Sequence, residues 1–497
     1  MLYYLKIRHK PQGGEPHMEW NTLLSTEKTG PEEAEPTQFA QYPINEFEKD
    51  YHKIVSSAAF RRLQDKTQVF PLDKSDFVRT RLTHSIEVST VARQLGIMIS
   101  KNNTPYKPAD IDGDAAEGIA SVLLCAGLLH DLGNPPFGHF GEVVIGDWFK
   151  EHLDLIDYKG RPLRSWLTPQ MAADLEHFEG NAQALRILLK AGHRSEINLS
   201  KAIISTLVKY PTDSLSFRGG DPDIRKHKLG FYAAEQEAFR SVSETVGTVT
   251  ASGDFCRHPL TYVLEAADDI AYATADLEDA FKKGLFTLDA FTEFFKSFYT
   301  EEDLAIHNSP AYYSNELILL LQSLRGSEHS ARGDSSAFKQ WLNRVRRWLM
   351  YVTVYRFSFK YRSIMAGTYG DDLFAETFHS LTIRILKKAM AEFAYDAPGI
   401  LKLELSAQTI LSFLLDRFVG AALYYGSQDE DYHPSKADRK YLMIFSDNYK
   451  QDYENAKTGD EARDLYLRLL MVTDYISGMT DSYARTLYRE LSGIEAV

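Results

Sequence analysis

Hydrophobic residues recur along the chain at intervals of three and four positions, and alternation between polar and apolar residues is scarce. Such spacing is typical of amphipathic α-helices and not of half-buried strands. The pattern predicts helices at residues 85–99, 118–129, 260–280 and 462–491. Gly459-Asp460 offers a cap for the last of these helices. We therefore predict an all-α fold with at most a small hairpin.

Stretches rich in Gly, Pro, Ser or Asp predict loops at residues 101–118, 211–228, 326–337 and 426–438. None is long enough to be a convincing flexible linker between independent domains. We expect a helical core at residues 45–290 and a helical region at residues 291–497 that packs on the core and completes its site. Residues 1–44 would form an N-terminal arm. The first 17 residues lack an apolar core and resemble a translated leader before Met18.

Composition narrows the class of protein. Of 497 residues, 44% are hydrophobic and 25% are charged, as in ordinary globular proteins. Apolar runs such as residues 123–129 are too short to cross a bilayer, so no membrane partner is expected. Cys125 and Cys256 are the only cysteines, which argues against a disulfide framework and for a reducing cytoplasm. A formal charge of −13 disfavours general nucleic-acid binding, although a local basic pocket could hold an anionic substrate.

A histidine–aspartate pair, His130-Asp131, directly follows an apolar helical stretch, after which the chain breaks into Gly and Pro residues. Alone, this pair is weak evidence, since a carboxylate beside a satisfied histidine is common at helix ends. However, His84 opens another amphipathic helix, and Asp268 and Asp269 lie within a predicted buried helix. Burying carboxylates is costly unless a cation or a hydrogen-bond donor compensates them. Two imidazoles and two carboxylates suit a catalytic divalent metal with open coordination positions.

The order of these residues, H…HD…D, resembles the HD superfamily of metal-dependent phosphohydrolases, and most closely the bacterial dGTPases and related vertebrate dNTP hydrolases. Five ordered blocks carry the resemblance, at residues 60–69, 79–84, 130–142, 265–276 and 474–484. It implies an HD-domain helical core with a C-terminal helical extension. It also implies hydrolysis of a dNTP, with dGTP preferred, into a deoxynucleoside and tripolyphosphate. The implied metal ligands are His84, His130, Asp131 and Asp268.

His139 and Glu142 are spaced i and i+3, so on a helical turn they can face the same way. The resemblance implies that they form the catalytic pair. His139 would be the general acid to the leaving 5′ oxygen, and Glu142 would orient it. Two alternatives stay open: His139 can instead activate the water, or it can simply cap or pack against the Gly-Pro turn.

Phosphate groups need cationic partners, and four basic residues are candidates for this role. Arg81 precedes His84 by three residues and can project beside the metal, while Arg62 lies in the first block. Lys209 and Lys228 flank a predicted loop and match the family pattern. An exposed Lys or Arg is more often a solvated surface charge, so these assignments depend on the resemblance.

Tyr272 and Asp276 follow Asp268 at i+4 and i+8, which places all three on one helix face. The resemblance implies that Tyr272 packs against deoxyribose and excludes a 2′-hydroxyl, with core packing as an equal alternative. It implies that Asp276 contacts the triphosphate region or its ligands. Gln68 resembles the residue that senses the 3′-hydroxyl.

Three further substrate-pocket residues are implied by the resemblance: Asn134, His177 and Asn181. Asn134 stands where some relatives have a histidine, so one contact is expected to differ from the vertebrate branch. Asn181 could contact sugar or phosphate. A histidine-rich helix end without a role is the alternative for His177.

Ligand sets of His and Asp favour Mn²⁺ or Mg²⁺ here, with Fe, Ni, Co and Zn also compatible. The resemblance implies a homo-oligomer, hexameric or tetrameric, and regulation by a second nucleotide or by single-stranded DNA. A basic and aromatic run at residues 344–348, followed by Tyr351, could bind such a strand. An ordinary amphipathic helix is the more common explanation of this run.

Two other functions compete with dNTP hydrolysis. One is a different HD chemistry, that of a nucleotide phosphodiesterase or a 5′-nucleotidase. The spacing of Tyr272 and Asp276 and the block at residues 474–484 argue against this alternative. The other is a non-catalytic dNTP sensor. A sensor is expected to have lost a metal ligand or a member of the catalytic pair, and all six of these residues are present.

Overall fold

The computed structural model of the protein describes residues 18–31, 45–70, 77–102, 108, 110–193, 197–325, 330–395, 398–427 and 434–494. Within these ranges the chain is overwhelmingly helical, which confirms the all-α prediction. The one sheet there is an antiparallel hairpin of two short strands, β1 (Asp157–Tyr158) and β2 (Arg161–Pro162). The predicted leader at residues 1–17 lies outside the described residues.

The α-helices are numbered here in chain order. The described α-helices begin with α1 (Trp20–Leu23), α2 (Glu46–Ser56), α3 (Ala58–Arg62), α4 (Arg81–Ser100), α5 (Gly113–Leu129), α6 (Gly138–His152), α7 (Pro169–Glu176), α8 (Gly180–His193), α9 (Lys201–Leu207), α10 (Gln236–Thr245), α11 (Pro259–Ala271) and α12 (Leu277–Lys282). They continue with α13 (Leu288–Lys296), α14 (Glu301–Ala305), α15 (Pro310–Arg325), α16 (Ala331–Phe359), α17 (Tyr361–Met365), α18 (Ser380–Met390), α19 (Pro398–Ala422), α20 (Lys436–Ile444), α21 (Asp447–Ala456), α22 (Glu461–Ser477) and α23 (Asp481–Leu491). Short 3₁₀ turns occur at Leu63–Asp65, Leu163–Trp166, Ile224–Lys226 and Ala233–Glu235, and π-helical turns at Tyr272–Asp276 and Ala391–Tyr395.

Three helices, α5, α16 and α20, begin inside segments that the sequence pattern predicted to be loops. In each case a polar residue that was counted as loop composition is the N-cap. The side chains of Asp112, Ser330 and Ser435 accept hydrogen bonds from backbone N–H groups of the first turn. The loop prediction was therefore wrong for residues 113–118, 331–337 and 436–438.

The predicted helix at residues 260–280 is interrupted by the π-helical turn between α11 and α12. Thr274 lies in this turn. Its hydroxyl donates to the carbonyl of Ile270 at 2.7 Å and accepts a hydrogen bond from Arg346 of α16 at 3.0 Å. Because a π-turn bonds i to i+5, the α-helical register assumed from Tyr272 to Asp276 was wrong.

The predicted helix at residues 462–491 is also two helices, since α22 ends at Ser477 and α23 starts at Asp481. A side chain at Gly478 would collide with the hydroxyl of Tyr449, and Thr480 caps α23. Asp460 caps α22 by accepting from the backbone N–H of Arg463, as predicted.

Buried apolar side chains form two clusters. In the first cluster α4 packs on α5 and α11, and α11 packs on α16. In the second cluster α19 packs on α6 and α22. Neither cluster ends near residue 290, because α13 and α15–α18 share the first cluster with α4, α5 and α11. The boundary at residue 290 stays a prediction.

Cys125 and Cys256 are both buried and free. Among the described residues, no helix combines the length and apolar character needed to span a bilayer.

Candidate active site

Three helices bring the four predicted metal ligands together. His84 lies in the first turn of α4, whose start is fixed by a capping box at Thr80. His130 follows α5 directly, with Asp131 next to it, and Asp268 lies near the end of α11. Because α4 packs against both α5 and α11, the two imidazoles meet in the interior, with ring centroids 5.3 Å apart.

The potential ligand atoms converge on a small volume. The Nε2 atoms of His84 and His130 lie 3.3 Å and 3.4 Å from the same Oδ1 of Asp268. The Nε2 of His130 also lies 3.6 Å from Oδ2 of Asp131. Ligand atoms of His84, His130 and Asp131 lie within 4.8 Å of one another. Donors that share an ion at about 2.1 Å lie roughly 3 to 3.5 Å apart, so the set has the dimensions of a coordination site.

The surroundings of His130 favour a cation. Its Nδ1 lies 2.9 Å from the carbonyl oxygen of Gly127, which can only accept, so in the neutral imidazole Nε2 presents a lone pair. This Nε2 is buried, has no hydrogen-bond partner and faces carboxylate oxygens. Such an arrangement is unfavourable unless a cation lies between the groups. A carbonyl behind a histidine ligand is also usual in metal sites. The residues therefore fit a divalent metal.

Two basic side chains keep the carboxylates ionised. Arg81 donates to Oδ2 of Asp131 at 2.7 Å, and Lys209 donates to Oδ2 of Asp268 at 2.8 Å. Burial alone would raise the pKa of Asp131, but the Arg81 guanidinium holds it at about 2. Burial would also raise the pKa of Asp268, but the Lys209 ammonium group holds this pKa well below its usual range. Both carboxylates are thus anionic and suited to a cation.

His139 and Glu142 face the same way on the first turns of α6, as the spacing predicted. His139 Nδ1 lies 2.6 Å from Oε2 of Glu142, and Oε1 of Glu142 accepts from the backbone N–H of Gly180 at 3.0 Å. Glu142 is buried, whereas 77% of the His139 side chain is exposed. The bond to Glu142 raises the pKa of His139, against the effect of its partial burial. Glu142 thus fixes the orientation of the imidazole through Nδ1.

The four predicted phosphate-binding cations lie in different places. Arg81 and Lys209 contact the carboxylates of the metal site. Lys228 lies 2.8 Å from Glu179, a buried carboxylate, and its charge also acts on Glu142. Arg62 is instead directed to Tyr449 of α21, with its Nη1 3.4 Å from the phenol oxygen.

Two of the predicted substrate-binding residues hold carboxylates of the protein. Asn134 Nδ2 donates to Oδ1 of Asp131 at 2.6 Å, so this ligand candidate is held from two sides. Asn181 Nδ2 donates to Oε1 of Glu179 at 2.6 Å. Gly180 lies against the side chains of both Asn134 and Glu142, which places the predicted catalytic pair next to the metal site.

His177 and Gln68 differ in their hydrogen bonding. His177 bonds through Nδ1 to a carbonyl of its own helix α7 at 2.9 Å, and its ring packs edge-on against Phe217. Gln68 has a buried Oε1 without a hydrogen-bond partner. A buried unsatisfied amide oxygen is costly, so Gln68 is suited to receive a donor from a ligand.

Tyr272 and Asp276 lie at the two ends of the π-helical turn. Tyr272 is partly buried and packs against the first apolar cluster. Asp276 is 1% exposed, its Oδ2 has no hydrogen-bond partner, and burial raises its pKa to about 7 although the charge of His84 opposes this. Asp276 therefore acts electrostatically on His84 from within the core.

The sequence interpretation missed Lys66. This lysine is buried, and its Nζ donates to the carbonyls of Asn134 at 2.6 Å and Ser477 at 2.7 Å. Burial lowers the pKa of Lys66 to about 7. The two hydrogen bonds of Lys66 connect the segment after His130-Asp131 to the end of α22. The place of Lys66 in the block at residues 60–69 was the only signal, because a lysine in a polar stretch looks like a surface charge.

Comparison with known proteins gives the family of this chain. Residues 81–204 match the HD domain model, and residues 376–490 match the model of the phosphohydrolase-associated domain. A deoxyguanosinetriphosphate triphosphohydrolase-like protein of Listeria innocua is 42% identical over 485 residues, covering 96% of this chain and all of its own length. The deoxyguanosinetriphosphate triphosphohydrolase of Yersinia enterocolitica is 31% identical over 489 residues, covering 90% of this chain and 94% of its own. The chain therefore belongs to the deoxyguanosinetriphosphate triphosphohydrolase family of HD-domain hydrolases, as its motifs predicted.

Proposed function

We propose that this hydrolase cleaves a deoxynucleoside triphosphate at the α-phosphorus and releases a deoxynucleoside and tripolyphosphate, with dGTP as the leading substrate. The names of relatives such as the Yersinia enterocolitica enzyme support dGTP. The observation that carries the proposal is the convergence of two imidazoles and two carboxylates next to a separate histidine–glutamate pair.

The proposed metal ligands are His84, His130, Asp131 and Asp268, and Mn²⁺ or Mg²⁺ is the proposed ion. A divalent ion here would polarise a phosphoryl oxygen and lower the pKa of a bound water. Arg81 and Asn134 hold Asp131 from two sides, and Lys209 holds Asp268. These bonds fix the orientation of both carboxylates before substrate arrives.

His139 is the proposed general acid. Its Nδ1–H is bound to Glu142, so its Nε2–H can be directed at the 5′ oxygen that leaves. The raised pKa of His139 favours the protonated ring that this role requires. In the exchanged assignment, His139 takes a proton from the attacking water through the same nitrogen.

The remaining roles concern substrate placement. Arg81, Lys209 and Lys228 would attract the triphosphate, and Gln68 would accept the 3′-hydroxyl. Tyr272 would pack against the deoxyribose. We propose supporting roles for the other three residues: Asn181 and His177 shape the pocket wall, and Asp276 supports His84.

We further propose a cytoplasmic homo-oligomer, a hexamer or a tetramer, that is regulated by a second nucleotide or by single-stranded DNA. On α16, 50% of Trp348 and 56% of Tyr351 are exposed, so both rings are available for stacking on bases.

Product analysis tests the proposed reaction. Purified protein is incubated with each dNTP and Mn²⁺ or Mg²⁺, and the products are separated by chromatography. Deoxynucleoside with tripolyphosphate is expected, whereas a nucleoside monophosphate or orthophosphate as first product would contradict the proposal. His130→Ala should be inactive, and His307→Ala, at an exposed histidine, should match the wild type.

A further inference from the structure

The turn at residues 135–138, which leads into α6, has an unusual backbone. Phe137 has φ 64° and ψ 16°, and Gly138 also has φ 64°. Glycine adopts this left-handed region freely, but a residue with a bulky side chain is strained there. His139 is the next residue, so the direction of its side chain depends on this turn.

A side chain far away in sequence holds the strained residue. Asp481, the first residue of α23, accepts a hydrogen bond from the backbone N–H of Phe137 through Oδ1 at 2.9 Å. Its Oδ2 accepts from the backbone N–H of Thr67 at 3.0 Å and from the hydroxyl of Thr67. Asp481 is 2% exposed, so both of its oxygens are used inside the protein.

The same turn is braced at two other points. Lys66 donates to the carbonyl of Asn134, just before the turn, and to that of Ser477 in α22. The Arg81 side chain lies so close to Gly138 that a Cβ there would approach its Nη2 to 2.7 Å. Strained residues persist where the surroundings over-determine them, and such strain is often found at active sites. The contacts around Phe137 meet this condition.

We propose that Asp481 is a positioning residue: it holds Phe137 in the left-handed conformation and thereby directs His139 toward the substrate. The inference rests on the proposed catalytic role of His139. It assigns to α23, within the phosphohydrolase-associated segment, a defined task in the site on the HD segment. Asp481 acts through the backbone of Phe137 and does not itself meet the substrate.

Hydrogen exchange combined with kinetics tests this role in the full-length protein. Pro135 and Pro136 lack amide N–H groups, so exchange within residues 135–138 reports on Phe137 and Gly138 alone. Asp481→Asn should accelerate exchange of these two amides. It should also lower kcat by about 10- to 100-fold with KM nearly unchanged, since small misplacement of a reacting group has costs of this order.

Asp464→Asn is the matched control. Asp464 lies in the first turn of α22, and it also accepts two backbone N–H groups and a threonine hydroxyl, from Thr458 and Gly459. This variant should leave kcat and exchange at Phe137 unchanged. If Asp481→Asn has the kinetics and the exchange pattern of Asp464→Asn, the proposal is wrong.

If Asp481→Asn fails to fold, hydrogen exchange in the wild-type protein tests the proposal instead. The Phe137 amide should then exchange as slowly as the interior of α6. Exchange as fast as in the exposed Gly219-Gly220 loop would overturn the proposal. Exchange does not depend on turnover, so it tests Asp481 even if dNTP hydrolysis is not found.

Discussion

Glu142→Gln removes the charge behind His139 and almost nothing else, because the two side chains have nearly the same size. Glu142 is buried and makes two hydrogen bonds, to His139 and to the backbone N–H of Gly180. A glutamine can accept from Gly180 through its oxygen, but its amide nitrogen cannot accept from the imidazolium, so the charge-assisted bond to His139 is lost. The variant therefore separates the effect of the carboxylate from the packing of α6.

The expected size of this effect follows from the strength of the hydrogen bond between Glu142 and His139. A charge-assisted hydrogen bond contributes about 1 kcal/mol more than a neutral one. Losing this bond should lower the pKa of His139, which the bond to Glu142 raises in the wild type. Solvent around the exposed ring reduces the energy of the bond further. We expect kcat to fall by up to about 5-fold, because about 1 kcal/mol of lost stabilisation corresponds to that factor.

The pH dependence also has a definite sign. Glu142 raises the pKa of His139 in the wild type, so the protonated acid persists to higher pH. In Glu142→Gln that form is lost earlier, and the alkaline fall in kcat should begin at lower pH. If His139 acts as a base, the acidic limb should move to lower pH instead. The measurement is kcat against pH, with Asp147→Asn, at an exposed position on α6, as the control.

If Glu142→Gln keeps a kcat near that of the wild type and neither limb of its pH profile moves, the pair has no catalytic role. Circular dichroism and thermal unfolding would first establish that the variant is folded. His139→Ala sets the scale of the complete loss, expected at about 10²- to 10⁴-fold.

Two other predictions concern the sugar and the core. Tyr272→Ala should lower the ratio of kcat/KM for dGTP over that for GTP, because a cavity beside the sugar admits a 2′-hydroxyl; an unchanged ratio in competition assays would contradict the role of Tyr272. Arg186→Met should destabilise the protein by about 3–5 kcal/mol, because it leaves buried Asp474 and Glu235 without their guanidinium partner. Urea unfolding measures this loss, and Lys150→Met, at an exposed pair, should cost about 0–1 kcal/mol.

The sequence was most informative where a local pattern determines the structure. The apolar spacing at residues 85–99 predicted most of α4, and the small apolar residues at 118–129 predicted most of α5. The sequence pattern failed at helix starts such as those at Asp112 and Ser330, because aspartate and serine are common both in loops and at N-caps. The π-helical turn at Tyr272–Asp276 was not predictable, since it depends on tertiary contacts such as that between Thr274 and Arg346.

For the candidate site, too, some residues were predictable from the sequence and others were not. Motif order identified His84, His130, Asp131 and Asp268; ligand atoms of the first three lie within 4.8 Å of one another, and Oδ1 of Asp268 lies 3.3 Å and 3.4 Å from the two imidazoles. Residues that act through the backbone of another segment lie within the motif blocks, but residue type and spacing gave no sign of their roles. Lys66 and Asp481 gain their partners only when α22 and α23 pack against the turn after His130-Asp131.

Metal content measured together with turnover is the most direct test of the proposed site. Wild-type protein freed of metal with a chelator should have no dNTP hydrolysis and should regain it with Mn²⁺ or Mg²⁺, and His130→Ala should neither bind the ion tightly nor turn over. Full activity of the metal-free protein in chelator, or a His130→Ala variant with normal metal content and normal rate, would contradict the assignment of His84, His130, Asp131 and Asp268 as the catalytic metal site.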